Sequence, residues 1–362
     1  MTRHWSVNGR FLSQPPTGVQ RYAAEILAQL DDLLSDDHPL TRDLQLDLLV
    51  PSGVDQTPPL KRIEVLRIGR LRGHAWEQLE LPRHIGGGLL SLCNTGPLAA
   101  GKHIVCIHDA NTRTFPSSYS ASFRILYRAL LPTLAYRATR VATVSHYSAA
   151  QLVQYGISRL GNIDVIPDGH EHVFRWFARH STATLQAAGP KTVVVVGSPA
   201  PHKNVGLVLG LASELTKSGI RIAVAGSTDR RVFRNGYGKS ADVIWLGRLT
   251  DGELAALLSD ALCLAFPSFE EGFGLPPLEA MALGCPVIAS NRASMPEICG
   301  DGVLFASPEA PADWLAQILL LASEPRLRLN LIERGRRQSA RFSWRTSAML
   351  YLQAMARADR LQ

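Results

Sequence analysis

The chain has 362 residues, which is enough for two domains that each bury a hydrophobic core. Hydrophobic residues make up 46% and charged residues 19%, ordinary values for a globular protein that indicate neither a disordered chain nor a membrane channel. The net charge of +7 favours anionic partners, without choosing among nucleic acid, an acidic membrane surface and a phosphorylated substrate.

The start of the chain lacks the apolar core of a signal peptide, and no stretch approaches the roughly 20 apolar residues of a spanning helix. The sequence therefore predicts a cytoplasmic protein. Five cysteines are scattered without a CxxC pair or an interleaved His at metal spacing, which predicts buried, reduced thiols. No cofactor and no metal are expected.

Short apolar, β-branched runs alternate with longer amphipathic stretches, which is typical of βα units around parallel sheets. In the first half the predicted strands are Leu44–Val50, Glu64–Ile68, Leu89–Leu92, His103–His108, Val141–Val144 and Ile163–Ile166, with helices at Val19–Leu34, Ser122–Arg137 and Tyr147–Tyr155. In the second half the strands are Thr192–Val196, Ile222–Ala225, Val243–Leu246, Leu262–Phe266 and Val287–Ala289, with helices at Val205–Ser218, Asp251–Ser259, Pro277–Leu283 and Ala312–Ala322.

An α/β fold of two doubly wound, Rossmann-like domains that face each other across a cleft is therefore predicted. The first domain spans residues 1–178 and the second spans 190–344. The Ala-rich, polar segment His180–Gly189 between them has the composition of a linker.

Two segments of the first half end at predicted turns. Thr17–Tyr22 leads into an amphipathic helix and is either a simple helix cap or a glycine loop open to a ligand. His108 ends a predicted strand, where a histidine either packs in the core or belongs to a binding site.

The basic, aromatic stretch Phe123–Arg137 is either a packed helix with a solvated face or a surface that rests on an anionic bilayer.

In the second half, the strand that ends at Gly197 leads through His202-Lys203-Asn204 into a helix. A lysine at this position is either an exposed helix-start residue or a cation that neutralises a diphosphate. The sequence alone leaves both interpretations open.

The string Phe266–Glu279 carries the strongest pattern, a strand that ends in a glycine-containing loop and opens a helix at two prolines. Free amides at such a loop favour an anion. Glu271 lies in the loop and Glu279 in the first turns of the helix, so the two carboxylates are expected to face different parts of one ligand. Glu279 could accept hydrogen bonds from vicinal ribose hydroxyls.

Glu271–Ala280 followed by Gly284–Ser290 resembles the donor-site signature of glycosyltransferase family 4, which has paired glutamates at this spacing. His202–Asn204 is similar to the family's Arg-Lys-Asn segment, and Thr17–Tyr22 to its N-terminal glycine loop. The resemblance extends through most of the chain. It implies a retaining GT-B enzyme of the bacterial mannosyltransferase-like group 1, with residues 345–362 forming a helix that returns to the first domain.

The resemblance also implies residue roles. They are His108 and Glu271 for catalysis, Gly18, His202, Lys203, Asn204, Gly272, Phe273, Gly274, Leu275 and Glu279 for donor binding, and Gln20 and Arg21 on the acceptor side. Because no carboxylate or histidine cluster has ligand spacing, metal-independent catalysis is expected.

The predicted activity is transfer of a hexose, with mannose from GDP-mannose favoured, to a glycan or polyprenyl-linked acceptor in surface polysaccharide or lipopolysaccharide synthesis. The protein is expected in the cytoplasm or peripherally at the inner face of the cell membrane.

A nucleotide-sugar epimerase of similar fold stays an alternative function. A nucleic-acid-binding module is disfavoured because a stripe of basic residues with stacking aromatics is missing. An NAD(P)-dependent oxidoreductase is disfavoured because the turn after Gly197 is not GxGxxG.

Overall fold

The computed structural model describes residues 2–198, 200–226 and 243–360. Contacts divide the chain into two compact units. The first comprises residues 1–113, 119–169 and 343–362, and the second comprises 114–118 and 170–342. Of the predicted second domain, residues 199 and 227–242 lie outside the described part, as do residues 1, 361 and 362 at the ends of the chain.

The first unit is built on a seven-stranded parallel sheet in the order β3-β2-β1-β4-β5-β6-β7. The strands are β1 (Arg3–Asn8), β2 (Leu44–Pro51), β3 (Glu64–Ile68), β4 (Gly88–Ser91), β5 (Lys102–Cys106), β6 (Arg140–Thr143) and β7 (Ile163–Val165). Strand β1, which pairs with both β2 and β4, is missing from the sequence prediction. Its six residues include Arg3, His4, Ser6 and Asn8, so no apolar run marks it.

The helices of the first unit are α1 (Gly18–Ser35), α2 (Gly73–Ala75), α3 (Asn111–Thr114), α4 (Ala121–Arg137), α5 (His146–Gln154) and α14 (Trp344–Arg360). Helix α14 packs beside α1, where the Tyr22 and Tyr351 hydroxyls lie 2.9 Å apart. At its other end, Asp359 accepts hydrogen bonds from Arg3 and Lys102 at 2.7 and 2.8 Å. The C-terminal helix therefore completes the first unit.

The second unit contains a six-stranded parallel sheet in the order β10-β9-β8-β11-β12-β13. The strands are β8 (Thr192–Val196), β9 (Arg221–Ala225), β10 (Val243–Gly247), β11 (Cys263–Phe266), β12 (Val287–Ser290) and β13 (Leu304–Ala306). Strand β13 is missing from the prediction.

The helices of the second unit are α6 (Thr182–Ala187), α7 (Val205–Leu209), α8 (Ala212–Lys217), α9 (Asp251–Asp260), α10 (Leu275–Leu283), α11 (Met295–Cys299), α12 (Pro311–Ser323) and α13 (Pro325–Ser339). The linker prediction for His180–Gly189 is wrong, because helix α6 forms there behind a Ser181–Thr184 capping box. The predicted helix Val205–Ser218 is divided in two around Gly210.

The cysteines are reduced, and four of the five are buried: Cys106, Cys263, Cys285 and Cys299. Burial raises the pKa of Cys285 and Cys299 to about 12, so both remain thiols at neutral pH. None of the described helices is both long and apolar enough to cross a membrane.

Candidate functional site

The second sheet places its candidate residues where the chain reverses its direction of winding. Strands β8 and β11 lie side by side, but β8 is followed by β9 on one flank and β11 by β12 on the other. The loops after β8 and β11 consequently diverge at the carboxyl edge of the sheet. Open α/β sheets bind ligands at this topological switch point. Lys203 follows β8, and Glu271 follows β11.

Lys203 and Glu271 form an ion pair between these two loops. The ammonium Nζ of Lys203 donates to both carboxylate oxygens of Glu271, at 2.7 and 2.9 Å. It also lies 5.7 Å from the centre of the Phe266 ring. The Lys203 side chain is 24% exposed and that of Glu271 is 11% exposed, so the pair is partly accessible to a ligand. An anion could therefore replace Glu271 as the partner of Lys203.

Hydrogen bonds hold the two loops at a fixed spacing. The Phe269 amide donates to the His202 carbonyl at 2.8 Å. Asn204 has φ +50°, a left-handed conformation that asparagine tolerates, and its side chain donates to the Pro308 carbonyl at 2.8 Å. Asn204 thus fixes the backbone that follows Lys203. Its predicted donor contact stays a prediction.

His202 stands at the arginine position of the Arg-Lys-Asn segment to which His202–Asn204 is similar. Its Nδ1 lies 2.8 Å from the Ser118 hydroxyl, in a segment that groups with the second unit. Burial, and then the neighbouring charge of Lys203, lowers the pKa of His202 below its usual value. The imidazole is therefore neutral at pH 7, and the positive charge at this position comes from Lys203.

The glycine loop is shaped by contacts from the start of helix α11. Gly274 has φ +109°, a backbone conformation that side chains with a Cβ rarely adopt, so glycine is favoured there, and the terminal methyl group of Met295 packs against it. The buried Ser294 hydroxyl contacts the carbonyls of Glu271 at 3.0 Å and Phe273 at 2.8 Å. No local sequence pattern marked Ser294 for this role.

Helix α10 starts at Leu275, with prolines at its second and third positions. Proline has no amide hydrogen, so this helix end offers fewer donors than its position suggests. Amides that bind an anion here must come from the loop residues Gly272, Phe273, Gly274 and Leu275. Phe273 also packs edge-on against Phe342, with ring centres 5.5 Å apart.

Glu279 lies one turn further along α10 and is buried. Its Oε1 is 2.9 Å from Nε2 of His172, which belongs to the 3-10 helix Glu171–Arg175. The two predicted glutamates therefore have different surroundings. Glu271 contacts Lys203 in the loops, and Glu279 contacts the buried His172.

The remaining predicted residues belong to the first unit. Gly18 begins α1, and a Cβ added there would meet nothing within 4 Å in the described chain, so packing does not require glycine at this position. Gln20 accepts from the Thr17 hydroxyl and donates to the Gln14 side chain at 2.9 Å. Arg21 lies in the same first turn of α1 and is half-buried.

His108 follows β5 and is buried against α1. Its Nε2 donates to the Leu92 carbonyl at 2.8 Å, and the Tyr22 ring packs edge-on at 4.8 Å. Burial lowers the pKa of His108 to about 4. The structure brings His108 and the start of α1 together in the first unit, with a neutral imidazole at pH 7.

Among the described residues, no group of three histidine, cysteine or carboxylate side chains is arranged to hold a metal ion. At the switch point of the second sheet, Lys203 and Glu271 place a cation and a carboxylate in contact, and this arrangement can bind an anionic group and present a carboxylate beside it.

Comparisons with known proteins give a consistent result. Residues 178–338 match the family model described as glycosyl transferases group 1. The O-antigen chain mannosyltransferase RfbU of Salmonella typhimurium is 26% identical over 328 residues, which cover 86% of this chain and 89% of that protein. The O-antigen chain mannosyltransferase B of Escherichia coli is 26% identical over 383 residues, covering 92% and 94%.

Among solved structures, Anabaena Alr3699/HepE in complex with UDP and glucose superimposes with a TM-score of 0.71 at 16% identity. The superposition covers 98% of this chain and 100% of that chain. At this identity the likeness concerns the fold alone. It confirms the predicted fold class, two Rossmann-like domains of the GT-B type.

Proposed function

We propose that the chain is a group 1 glycosyltransferase, the family whose model matches residues 178–338, and that it transfers mannose from GDP-mannose to a saccharide acceptor during surface polysaccharide synthesis. The observation that carries the donor assignment is the Lys203–Glu271 ion pair at the switch point of the second sheet. The choice of mannose is supported by the two O-antigen mannosyltransferases that resemble nearly the whole chain.

In the proposed reaction, the donor diphosphate takes the place of Glu271 as the partner of Lys203. The ammonium and the amides of residues 272–275 then stabilise the negative charge that develops on the departing nucleoside diphosphate. Released from Lys203, the Glu271 carboxylate faces the sugar or the reacting centre. The acceptor hydroxyl attacks from the face that the leaving group vacates, which retains the anomeric configuration as the family resemblance implies.

The nucleoside end of the donor is assigned to Glu279. A buried carboxylate can accept two hydrogen bonds from vicinal ribose hydroxyls, and each such bond is stronger than one between neutral groups. His202, Asn204 and the loop 272–275 complete the proposed donor site around this carboxylate and Lys203.

In the first unit, we assign His108 to a contact with the donor sugar. We assign Gly18, Gln20 and Arg21, at the start of α1, to the acceptor side. A neutral His108 suits hydrogen bonding to a sugar hydroxyl better than proton transfer at pH 7. Gly18, which the packing of the described chain does not require, leaves room for a ligand at the start of α1.

We further propose a cytoplasmic enzyme that acts on a lipid-linked acceptor at the inner face of the membrane and contacts that membrane through α4. Residues 121–137 contain three arginines and no acidic residue. Ile125 is 72% exposed and Tyr136 is 82% exposed on this helix. A basic helix with exposed apolar side chains binds anionic lipid.

The membrane contact is tested by sedimentation with phosphatidylglycerol vesicles. The vesicles should deplete the native protein from the supernatant, and Ile125→Asp should reduce the depletion. Equal depletion of the native protein and the variant would contradict the assignment.

The donor proposal is tested by incubating the purified protein with radiolabelled GDP-mannose, UDP-glucose or UDP-N-acetylglucosamine and a membrane lipid extract. We expect label to enter the lipid-linked fraction from GDP-mannose, with the α anomer of the donor kept in the product. Activity should survive EDTA. Transfer from another donor only would contradict the mannose assignment, whereas altered nucleotide sugar without any acceptor would favour the epimerase.

A further inference from the structure

The hydrogen bond between His172 and Glu279 joins the start of the segment 170–342 of the second unit to helix α10. His172 lies in the 3-10 helix Glu171–Arg175, and Glu279 lies in α10. The side chains are 1% and 7% exposed, and Nε2 of the histidine is 2.9 Å from Oε1 of the glutamate. The two residues are 107 positions apart in the sequence, and no sequence pattern predicted this contact.

The chemistry of the pair fixes which atom carries the proton. An ionised carboxylate only accepts hydrogen bonds, so Nε2 of His172 must donate. A bond from an imidazole N–H to a carboxylate is charge-assisted and directional. The Trp176 ring packs edge-on against the imidazole, with ring centres 5.3 Å apart, and this contact restricts the orientation of the donor.

We propose that His172 is a positioning residue, which holds the Glu279 carboxylate in the orientation that accepts the ribose hydroxyls of the donor nucleoside. This inference rests on the proposed donor function. A glutamate side chain has three rotatable bonds, and fixing its carboxylate before the ligand arrives removes an ordering cost from binding. His172 acts through Glu279 and does not itself need to touch the ligand.

A purely structural role for His172 predicts a different effect on nucleotide binding. If His172 only satisfied a buried carboxylate, its loss would lower stability and weaken all nucleotides alike. A positioning histidine instead affects the part of the binding energy that comes from the ribose hydroxyls. The informative quantity is therefore the ratio between the Kd of a 2′,3′-dideoxynucleoside diphosphate and the Kd of the parent nucleoside diphosphate.

The test uses calorimetric titration of the full-length protein with GDP, UDP and their 2′,3′-dideoxy analogues. His172→Gln and His172→Asn form a matched pair, because both carry an amide donor but only glutamine reaches as far as Nε2. His172→Phe is a second variant that keeps a ring beside Trp176 without a donor. Thermal unfolding of each variant reports whether it is folded.

For the native protein we expect the ratio to be at least about tenfold for the preferred base, which corresponds to 1.4 kcal/mol. It should stay within about threefold of the native ratio in His172→Gln and fall close to one in His172→Asn and His172→Phe. In a Glu279→Ala background, His172→Asn should change the ratio no further.

A native-like ratio in folded His172→Asn or His172→Phe would overturn the inference, as would an additional loss in the Glu279→Ala background. If the native protein binds neither GDP nor UDP, the proposed donor function itself fails. Failure of the positioning role and failure of the donor function therefore give different results.

Discussion

Each sheet has a basic residue that follows its first strand and pairs with a carboxylate, and the two pairs differ in their access to solvent. In the first sheet, Arg10 follows β1 and donates to Glu77 at 2.9 Å and to Thr95, beyond β4, at 2.5 Å. The Arg10 and Glu77 side chains are 7% and 1% exposed, compared with 24% and 11% for Lys203 and Glu271 in the second sheet.

The partners of each pair explain the difference. Glu77 also accepts from Asn8 at 2.8 Å and contacts His74 at 3.2 Å. Burial alone would raise the pKa of Glu77, but the bonds from His74, Arg10 and Asn8 hold it below its usual value. This pair is a satisfied internal network. Lys203, bound to a single carboxylate near the surface, can exchange that partner for a ligand.

The largest expected effect is on stability and separates the two pairs directly. Arg10→Met leaves the buried Glu77 charge without its cation and should lower the free energy of unfolding by about 3–5 kcal/mol. Lys203→Met should cost about 1 kcal/mol or less, because solvent and counterions reach that pair. Urea unfolding monitored by circular dichroism measures both. Equal losses would show that exposure does not distinguish the pairs.

The next effect is on turnover. Glu271→Gln keeps the shape of the side chain but removes the charge that is proposed to act at the sugar or the reacting centre. The rate kcat should fall on the order of 100-fold or more while the Kd of nucleoside diphosphate changes little. Initial rates alongside calorimetric titration measure the two quantities. A loss of nucleotide affinity as large as the loss of rate would reassign Glu271 to nucleotide binding.

Glu279 should show the reverse pattern. Glu279→Ala removes a charged acceptor from the ribose hydroxyls, which costs about 1.5–3 kcal/mol per hydrogen bond. The Kd of free nucleoside diphosphate and that of the intact donor should therefore rise together, by at least about 100-fold, because both hydrogen bonds are lost. If the variant instead loses only turnover at saturating donor, the roles of the two glutamates are exchanged.

The smallest effect concerns His108 in the first unit. His108→Ala should lower kcat by about tenfold, the size of one lost hydrogen bond to the sugar, and leave the Kd of nucleoside diphosphate nearly unchanged. Because the folded pKa is about 4, below the ordinary 6.5, protonation favours unfolding as the pH falls from about 6.5 to 4. The pH profile of kcat between pH 6 and 8 should have the same shape in the native protein and in the variant. An inflection in the native profile that the variant lacks would show that His108 titrates in this range and would contradict a neutral imidazole.

The parts of the fold that sequence predicted are those with a periodic apolar pattern. Strand β3 and the strand Thr192–Val196 have the predicted bounds, and α1 differs by one residue at each end. Strand β1 was not predicted, because its polar residues, arginine, histidine, serine and asparagine, interrupt its apolar residues. Helix α13 was not predicted because Leu327, Leu329 and Leu331 alternate with polar residues, a spacing that favours a strand over a helix.

The candidate site was predictable only where a local motif carries it. Lys203 and Glu271 were each predicted from their own segments, but their ion pair joins residues 68 positions apart. The contacts Arg10–Glu77 and His172–Glu279 span 67 and 107 positions, and only the folded sheet order brings them together. Roles that depend on such distant partners need the structure.

The most direct test of the donor assignment is the affinity of Lys203→Met for nucleoside diphosphate, measured by calorimetric titration with GDP and UDP. Replacing the ammonium leaves the Glu271 carboxylate opposite the diphosphate, so we predict that Kd rises about 10- to 100-fold. Lys217→Met is the matched control, because Lys217 pairs with Glu214 on the exposed surface of the same unit, and it should bind like the native protein. An unchanged Kd in Lys203→Met would contradict the claim that the switch point of the second sheet binds the donor.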